Sequence, residues 1–350
     1  MKQIYSDIIQ FRGNHYDFGY EQGLRLKDSL TIENRNKQWK WKRPRFEIDV
    51  KEAKVQFKKY APSIWEELNG LMDALKQPME TILRDYGGYR VEPVKSGCSI
   101  FAGEGYFIRN YDFHPKTYDG RYTFFQPKDK GYAIIGPSSR IVGRMDGMNE
   151  KGLVMGYNFV HRKNLGDGFV CHMIGRIILE TCATVDEAVH LLQEIPHRQA
   201  FSYIVMDISG KTCVIEASPR DVTVREAAVC TNHFEIMTHE NRHYLQDSME
   251  RFTAIQQYSG SKPDALEAFR FFNDTDKGIF AKQYKSWAGT IHTSGYLPKE
   301  GKAWFALGGD QEPYEFHFRR WIGGEDITQE KLYGEVDTNL GFAHMDKNNR

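Results

Sequence analysis

The chain has 350 residues, in which 47 Lys and Arg balance 47 Asp and Glu for a formal net charge of zero. That neutrality speaks against a general nucleic-acid or anionic-membrane binder, which needs an excess of positive charge. Hydrophobic residues make up 40% of the chain and aromatics 13%, enough for a substantial core and too much for wholesale disorder.

The first residues, MKQIYSDIIQFRGNHYDFG, hold no apolar signal-like run, and no later stretch has the length of a membrane span. The expectation is a soluble, cytoplasmic protein. Residues 15–90 read as mostly helical, with apolar residues at helical spacing from Tyr20 to Leu30 and from Ala53 to Leu75. Pro62 is expected to end or kink a helix. The stretch from Glu33 to Arg45 is cationic, with Trp39 and Trp41 interleaved. It reads as a solvated helix face with two aromatic anchors.

From residue 98 short β-type runs follow one another (CSIF, YFIRN, YAIIG, LVMGYNF, SYIVMDI, TCVIEAS, AVCTN), many separated by Gly-bearing turns. HMIGRIILETC predicts a helix, and Thr184-Val-Asp-Glu187 is a capping box opening a second one. Residues 242–272 predict two more helices, and Thr290 to Ile322 returns to strands. No βαβα alternation is evident. The predicted class is α+β, with stacked antiparallel sheets covered by helices.

The five cysteines, Cys98, Cys171, Cys182, Cys213 and Cys230, are odd in number, widely spread and without a CxxC pair. Neither a disulfide framework nor a structural zinc site is expected. His172 and His190 have no partner at metal-ligand spacing, and Gly152 and Gly156 fit no nucleotide loop, so no metal or cofactor is expected.

The chemistry concentrates in Gly97-Cys98-Ser99-Ile100-Phe101-Ala102-Gly103-Glu104-Gly105-Tyr106-Phe107-Ile108-Arg109-Asn110-Tyr111-Asp112. Two strands flanking a four-residue Gly-rich loop form a hairpin, and if Phe101 faces Tyr106 then Cys98 faces Arg109. A fixed guanidinium beside a thiol lowers its pKa. Asp112 falls just beyond the paired region, near the Cys98 nitrogen, although parity does not put its side chain on the Cys98 face. Were the Gly97–Cys98 bond cut, Cys98 would carry an α-amine of pKa about 7.7–8.0, a general base on the nucleophile's own residue.

At these residues the chain resembles a known group. GCSIF followed by IRNYDF is similar to the choloylglycine hydrolase and acyl-CoA:6-aminopenicillanic acid acyltransferase branch of the N-terminal nucleophile hydrolases. FRGNHYDFGYEQG, WEELNGLMDAL, DGMNEKGLVMGYNF, CTNHF, SMERF and TIHTSGYLPKEGKAWFALG extend the resemblance in order along most of the chain. It implies a four-layer αββα sandwich and self-cleavage between Gly97 and Cys98. Residues 1–97 would be a helical pro-segment that stays as a cleaved partner, and residues 98–350 the catalytic chain. It further implies attack on linear, non-peptide amide C–N bonds. Cys98 would be the nucleophile, Arg109 and Asp112 would tune and orient it, Asn158 and Asn232 would stabilise the oxyanion, and Arg251 would support the site. The 97 residues before the cysteine, and Tyr157-Asn158-Phe159-Val160-His161 where the bile-salt branch tends to have a proline, favour a general N-acyl amide over a bile salt as substrate.

Blander readings stand beside these. Arg109 and Asp112 also fit a surface ion pair, Asn158 a turn former, Asn232 a strand end, and Arg251 a solvated helix arginine. His233 is at best a lining residue, because the hairpin supplies a base without it. An acyltransferase, or an uncleaved binding module of the same fold, is the alternative to a hydrolase. Aromatics after the hairpin, Phe113, Tyr118, Tyr122, Phe124 and Phe125, suit an apolar acyl pocket and suit a core equally. Self-association is allowed, and the sequence does not fix it.

Overall fold

The structure, a computed structural model, describes residues 1–41, 48–91, 97–160, 165–242, 244–285 and 288–347. Lys42 to Arg45 of the cationic stretch, and His161, lie outside the described residues. Strand β1 (Lys2–Gly13) comes first, followed by helices α1 (His15–Leu26), α2 (Leu30–Trp41), α3 (Val50–Tyr60), α4 (Pro62–Leu75) and the short α5 (Met79–Ile82). Pro62 opens α4, where its missing N–H costs nothing, and so divides the predicted helical run in two. Helices α1 and α4 press together at two glycines. A Cβ at Gly19 would sit 1.9 Å from the Glu67 carbonyl oxygen, and one at Gly70 2.0 Å from that of Tyr16.

The hairpin follows as β2 (Gly97–Gly103) and β3 (Tyr106–Phe113), then β4 (Arg121–Pro127), β5 (Ile134–Ser139), β6 (Gly143–Arg144), β7 (Asp146–Asn149) and β8 (Val154–Phe159). Next come α6 (Cys171–Thr181) and α7 (Val185–Glu194). The Thr184 hydroxyl accepts from the Glu187 nitrogen at 3.3 Å, but the Glu187 carboxylate returns to Ala183 rather than Thr184. Strands β9 (Phe201–Met206), β10 (Thr212–Ala217), β11 (Val222–Arg225) and β12 (Val229–Cys230) precede α8 (Gln246–Ser259) and α9 (Ala265–Asn273). The chain ends in β13 (Lys282–Gln283), β14 (Ala288–Leu297), β15 (Lys302–Leu307), β16 (Tyr314–His317), α10 (Phe318–Ile322) and β17 (Lys331–Val336).

Among the described residues the strands form two sheets, ordered β11-β10-β9-β8-β7-β5-β4-β1-β17 with β6 on β5, and β12-β2-β3-β14-β15-β16 with β13 on β14. Pairing is antiparallel except between β1 and β4, which run parallel from Asp7 opposite Arg121 to Gly13 opposite Pro127. Period-two alternation sorts the side chains into layers. Ile100, Phe107, Val154, Ile204 and Phe305 pack between the sheets. Met155, Phe159, Phe201 and Val205 face α6, α7 and the N-terminal helices. Phe101 and Ile108 face α8 and α9. The result is a four-layer αββα sandwich. Tyr122 and Phe124 pack against Phe316 and Trp321 inside it, and Phe125 stacks on Phe18, so these aromatics are core rather than pocket wall.

A buried charge cluster joins the first 97 residues to the rest. Arg176 of α6 donates to Glu67 at 2.7 Å and to Glu180 at 2.7 Å. His15 meets Asp129 at 2.8 Å and Glu180 at 3.3 Å. Burial disfavours the charged imidazole, but Glu180 outweighs it and lifts the His15 pKa to about 9. Among the described residues, no helix is long and apolar enough to cross a membrane.

Candidate active site

The hairpin closes tighter than expected. Gly103 pairs with Tyr106 across a two-residue turn, Glu104-Gly105, in which Gly105 adopts φ +80°, a conformation that favours glycine. The register therefore slides by two residues, and Cys98 faces Tyr111 while Arg109 faces Ile100. A slide of two preserves the face. Arg109 stays beside Cys98 on the diagonal, and its Nη2 donates to Cys98 Sγ at 3.2 Å.

Neither Arg109 nor Asp112 is at the surface, and they do not pair with each other. Both are fully buried. Arg109 Nη1 binds Asp146 Oδ2 at 2.6 Å and the Met145 carbonyl at 2.9 Å, while Nη2 also reaches the Tyr157 carbonyl at 2.5 Å. The Tyr296 hydroxyl donates to the other Asp146 oxygen. Burial would raise the Asp146 carboxyl, but His292, Arg109 and Tyr296 outweigh it and hold the group down to about 2. Asp146 was not among the expected site residues. Its only sequence signal is membership of DGMNEKG, 37 positions beyond Arg109.

The thiol moves opposite to the expectation. Burial pushes Cys98 up to about 11, with Arg109 pulling the other way. The guanidinium is present as expected, yet desolvation of a thiolate between two sheets is the larger effect.

On the opposite face of the hairpin, Asp112 stands across from Gly97. Its Oδ1 accepts from Thr290 at 2.6 Å. Its buried Oδ2 has no hydrogen-bond partner and lies 4.0 Å from Arg251 Nη1. Burial raises the Asp112 carboxyl against the pull of Arg251. Arg251, on α8, is buried and not a solvated helix arginine. It donates to the Cys98 carbonyl at 2.8 Å, the Ser99 hydroxyl at 2.7 Å and Asn232 Oδ1 at 2.9 Å. Asn232 Oδ1 also accepts the backbone N–H of Cys98 at 2.9 Å, and its amide donates to the Phe159 carbonyl at 3.0 Å. The peptide unit on either side of the Cys98 Cα is thus gripped at nitrogen by Asn232 and at oxygen by Arg251.

Asn232 is itself held from below. Ser248 Oγ accepts its backbone N–H at 2.8 Å and lies 2.9 Å from His233 Nδ1. Burial pushes His233 down to about 4, leaving a neutral ring bonded to Thr231 and Ser248. Asn158 projects between the sheets from β8, sharing a face with Val154 and Gly156, and donates to the Cys230 carbonyl at 2.9 Å. Cys230 lies on β12 opposite Ile100, next to the strand that carries Cys98. Asn158 Oδ1 is buried without a partner. The structure brings Arg109, Asn232 and Arg251 into contact with Cys98, with Asp112 opposite Gly97. Asn158 does not touch Cys98; it reaches from β8 of the other sheet to β12, the strand beside β2.

Residues 101–312 match the family model described as acyl-coenzyme A:6-aminopenicillanic acid acyl-transferase, a span that begins just after Cys98. No curated protein matches the chain. Among solved structures, it is similar to a mutant of conjugated bile acid hydrolase from Clostridium perfringens, at 14% identity and TM-score 0.47 over 71% of this chain and 100% of that one. Penicillin V acylase from Agrobacterium tumefaciens is similar at 16% identity and TM-score 0.44, over 63% and 84%. An N-acylethanolamine-hydrolyzing acid amidase ortholog from Caenorhabditis elegans is similar at 15% identity and TM-score 0.36, over 58% and 93%. The matched family model spans well over half of the sequence, and the chain belongs to the acyl-coenzyme A:6-aminopenicillanic acid acyl-transferase family.

Proposed function

We propose that the chain is a cysteine amidohydrolase that opens its own backbone before Cys98 and then cleaves the linear C–N bond of an N-acyl amide. The observation carrying this reading is the grip on Cys98, with Arg109 on its sulfur, Asn232 on its nitrogen and Arg251 on its carbonyl oxygen. In maturation the Cys98 sulfur attacks the Gly97 carbonyl carbon, and the C–N bond breaks as the acyl group moves to sulfur. Water then hydrolyses the thioester, leaving a Gly97 carboxylate, a free thiol and an α-amine. The Asp112 oxygen that has no hydrogen bond, across from Gly97, suits the new ammonium, and Asn232 Oδ1 is already an acceptor for that nitrogen.

A thiol held near 11 waits for a base, and an α-amine of pKa about 7.7–8.0 is one. It takes the thiol proton as sulfur attacks the substrate carbonyl, then passes that proton to the leaving nitrogen as the C–N bond breaks. Water, deprotonated by the same amine, hydrolyses the acyl thioester. Each asparagine amide has a second N–H beyond the one used, and a donor to the oxyanion is typically worth about 2.7–4 kcal/mol. If an amine or coenzyme A thiol replaces water in the last step, the same intermediate gives acyl transfer, the reaction in the family's description.

Denaturing mass analysis with N-terminal sequencing tests the maturation step. The expected result is two pieces of about 11 and 29 kDa from the 40.7 kDa chain, the larger beginning CSIFAG, and one uncut chain in Cys98→Ala. A wild-type chain that stays whole would leave an uncleaved binding module. Chromogenic N-acyl amides of graded chain length then define the acyl preference, with Cys98→Ala as the inactive control.

A further inference from the structure

A line of buried polar groups runs from the first strand to the thiol. Ser6 Oγ on β1 lies 3.2 Å from the Tyr118 hydroxyl, which lies 3.3 Å from His292 Nδ1 on β14. His292 Nε2 faces Asp146 Oδ2 at 3.9 Å, and that same oxygen holds Arg109, whose other nitrogen touches Cys98 Sγ. All six side chains are 1% exposed or less. Tyr111 and Phe305 lie against the His292 ring, at centroid distances of 5.0 and 4.8 Å.

The order of hydrogens along this line follows from chemistry. Burial lowers the His292 pKa, so one ring nitrogen carries the single proton. Nε2 has no hydrogen-bond partner and looks at an ionised carboxylate. A lone pair pointed there in a low-dielectric interior is repelled, whereas an N–H dipole is attracted. Nε2 therefore bears the hydrogen, Nδ1 accepts from Tyr118, and the tyrosine oxygen accepts from Ser6.

We propose that His292 is a positioning residue of the thiol site: with Nε2–H turned to Asp146 and Nδ1 held by the Tyr118 hydroxyl, it steadies the Asp146 carboxylate that aims Arg109 at Cys98. The inference rests on Cys98 being the reacting group of the proposed amidase, and it extends that site by three residues, reaching β1 in the first 97.

The test reads the thiol directly. Thiolate ultraviolet absorbance is titrated against pH for each protein, subtracting the same protein carrying Cys98→Ser. His292→Leu removes the dipole and Tyr118→Phe removes only the hydroxyl that holds the ring in place through Nδ1. Both are expected to raise the Cys98 midpoint by about 0.5–1 unit, a roughly 3–10-fold loss of thiolate at a given pH. Turnover of an N-acyl amide should fall by a similar factor in kcat with KM unchanged, and His292→Gln, which keeps an N–H, should recover most of the midpoint. Midpoints equal to wild type in folded His292→Leu and Tyr118→Phe would overturn the proposal, and Tyr118→Phe decides alone if His292→Leu does not fold. An inactive protein whose midpoint shifts refutes the amidase and keeps the positioning role; an active protein whose midpoint stays refutes the role and keeps the amidase.

Discussion

Two buried guanidinium groups organise this molecule, and they are spent differently. Arg176 is closed by Glu67 and Glu180, with His15 and Asp129 completing a network between the N-terminal helices, α6 and the loop after β4. Arg109 has one carboxylate, Asp146, and its two Nη groups also donate to two carbonyls and a thiol. A cation enclosed by carboxylates on two sides holds surfaces together. One facing a group that becomes an anion only after losing a proton biases a reaction.

Removing each guanidinium in turn puts this contrast under the greatest stress. Arg109→Met and Arg176→Met both strand a buried carboxylate and are expected to cost about 3–5 kcal/mol in urea unfolding. Only Arg109→Met should also abolish amide turnover and raise the thiol midpoint further. Equal effects on the thiol would erase the distinction. Next in size, Asn232→Ala removes the acceptor for the Cys98 nitrogen and the proposed oxyanion donor, and kcat should fall about 10²–10³-fold in steady-state assays.

The Arg176 network has its own pH signature. The folded His15 pKa of about 9 lies above the ordinary 6.5, so its contribution is fully present below pH 6.5 and is lost as pH rises through 9. The shift corresponds to roughly 3 kcal/mol of stability. Urea midpoints measured across that interval should fall in wild type and flatten in His15→Gln. A wild-type curve as flat as the variant's would count against the network. The smallest expected effect is Ser248→Ala, which takes one hydrogen bond from beneath Asn232; stability should drop by about 1 kcal/mol, with kcat within a few-fold of wild type.

Much of the site was legible because side-chain parity survives errors of register. The sequence places Arg109 on the Cys98 face and Asp112 off it, and both statements hold although the turn is two residues rather than four. The AGEG segment accommodates either turn, so the register itself was not legible. Asp146 reaches Arg109 from the opposite sheet and His292 reaches Asp146 from β14, contacts that no local pattern encodes. The direction of the Cys98 shift was missed for the same reason, since burial depends on the second sheet closing over the thiol. β1 is readable in principle, as Ile4, Ser6 and Ile8 alternate inward, but the helical spacing that begins at residue 15 is the stronger local signal. The aromatics after the hairpin were readable as core or pocket, and only packing decides.

The placement of β1 has a consequence for any opened chain. It lies inside the large sheet, bonded on one edge to β4 and on the other to β17. A backbone cut ahead of Cys98 would therefore create two polypeptides that share one sheet, and neither dilution nor turnover would separate them. Such a segment would stay in place as a subunit rather than leave as a plug, and native gel filtration of cut protein should give one peak at the mass of the uncut chain or of its oligomer.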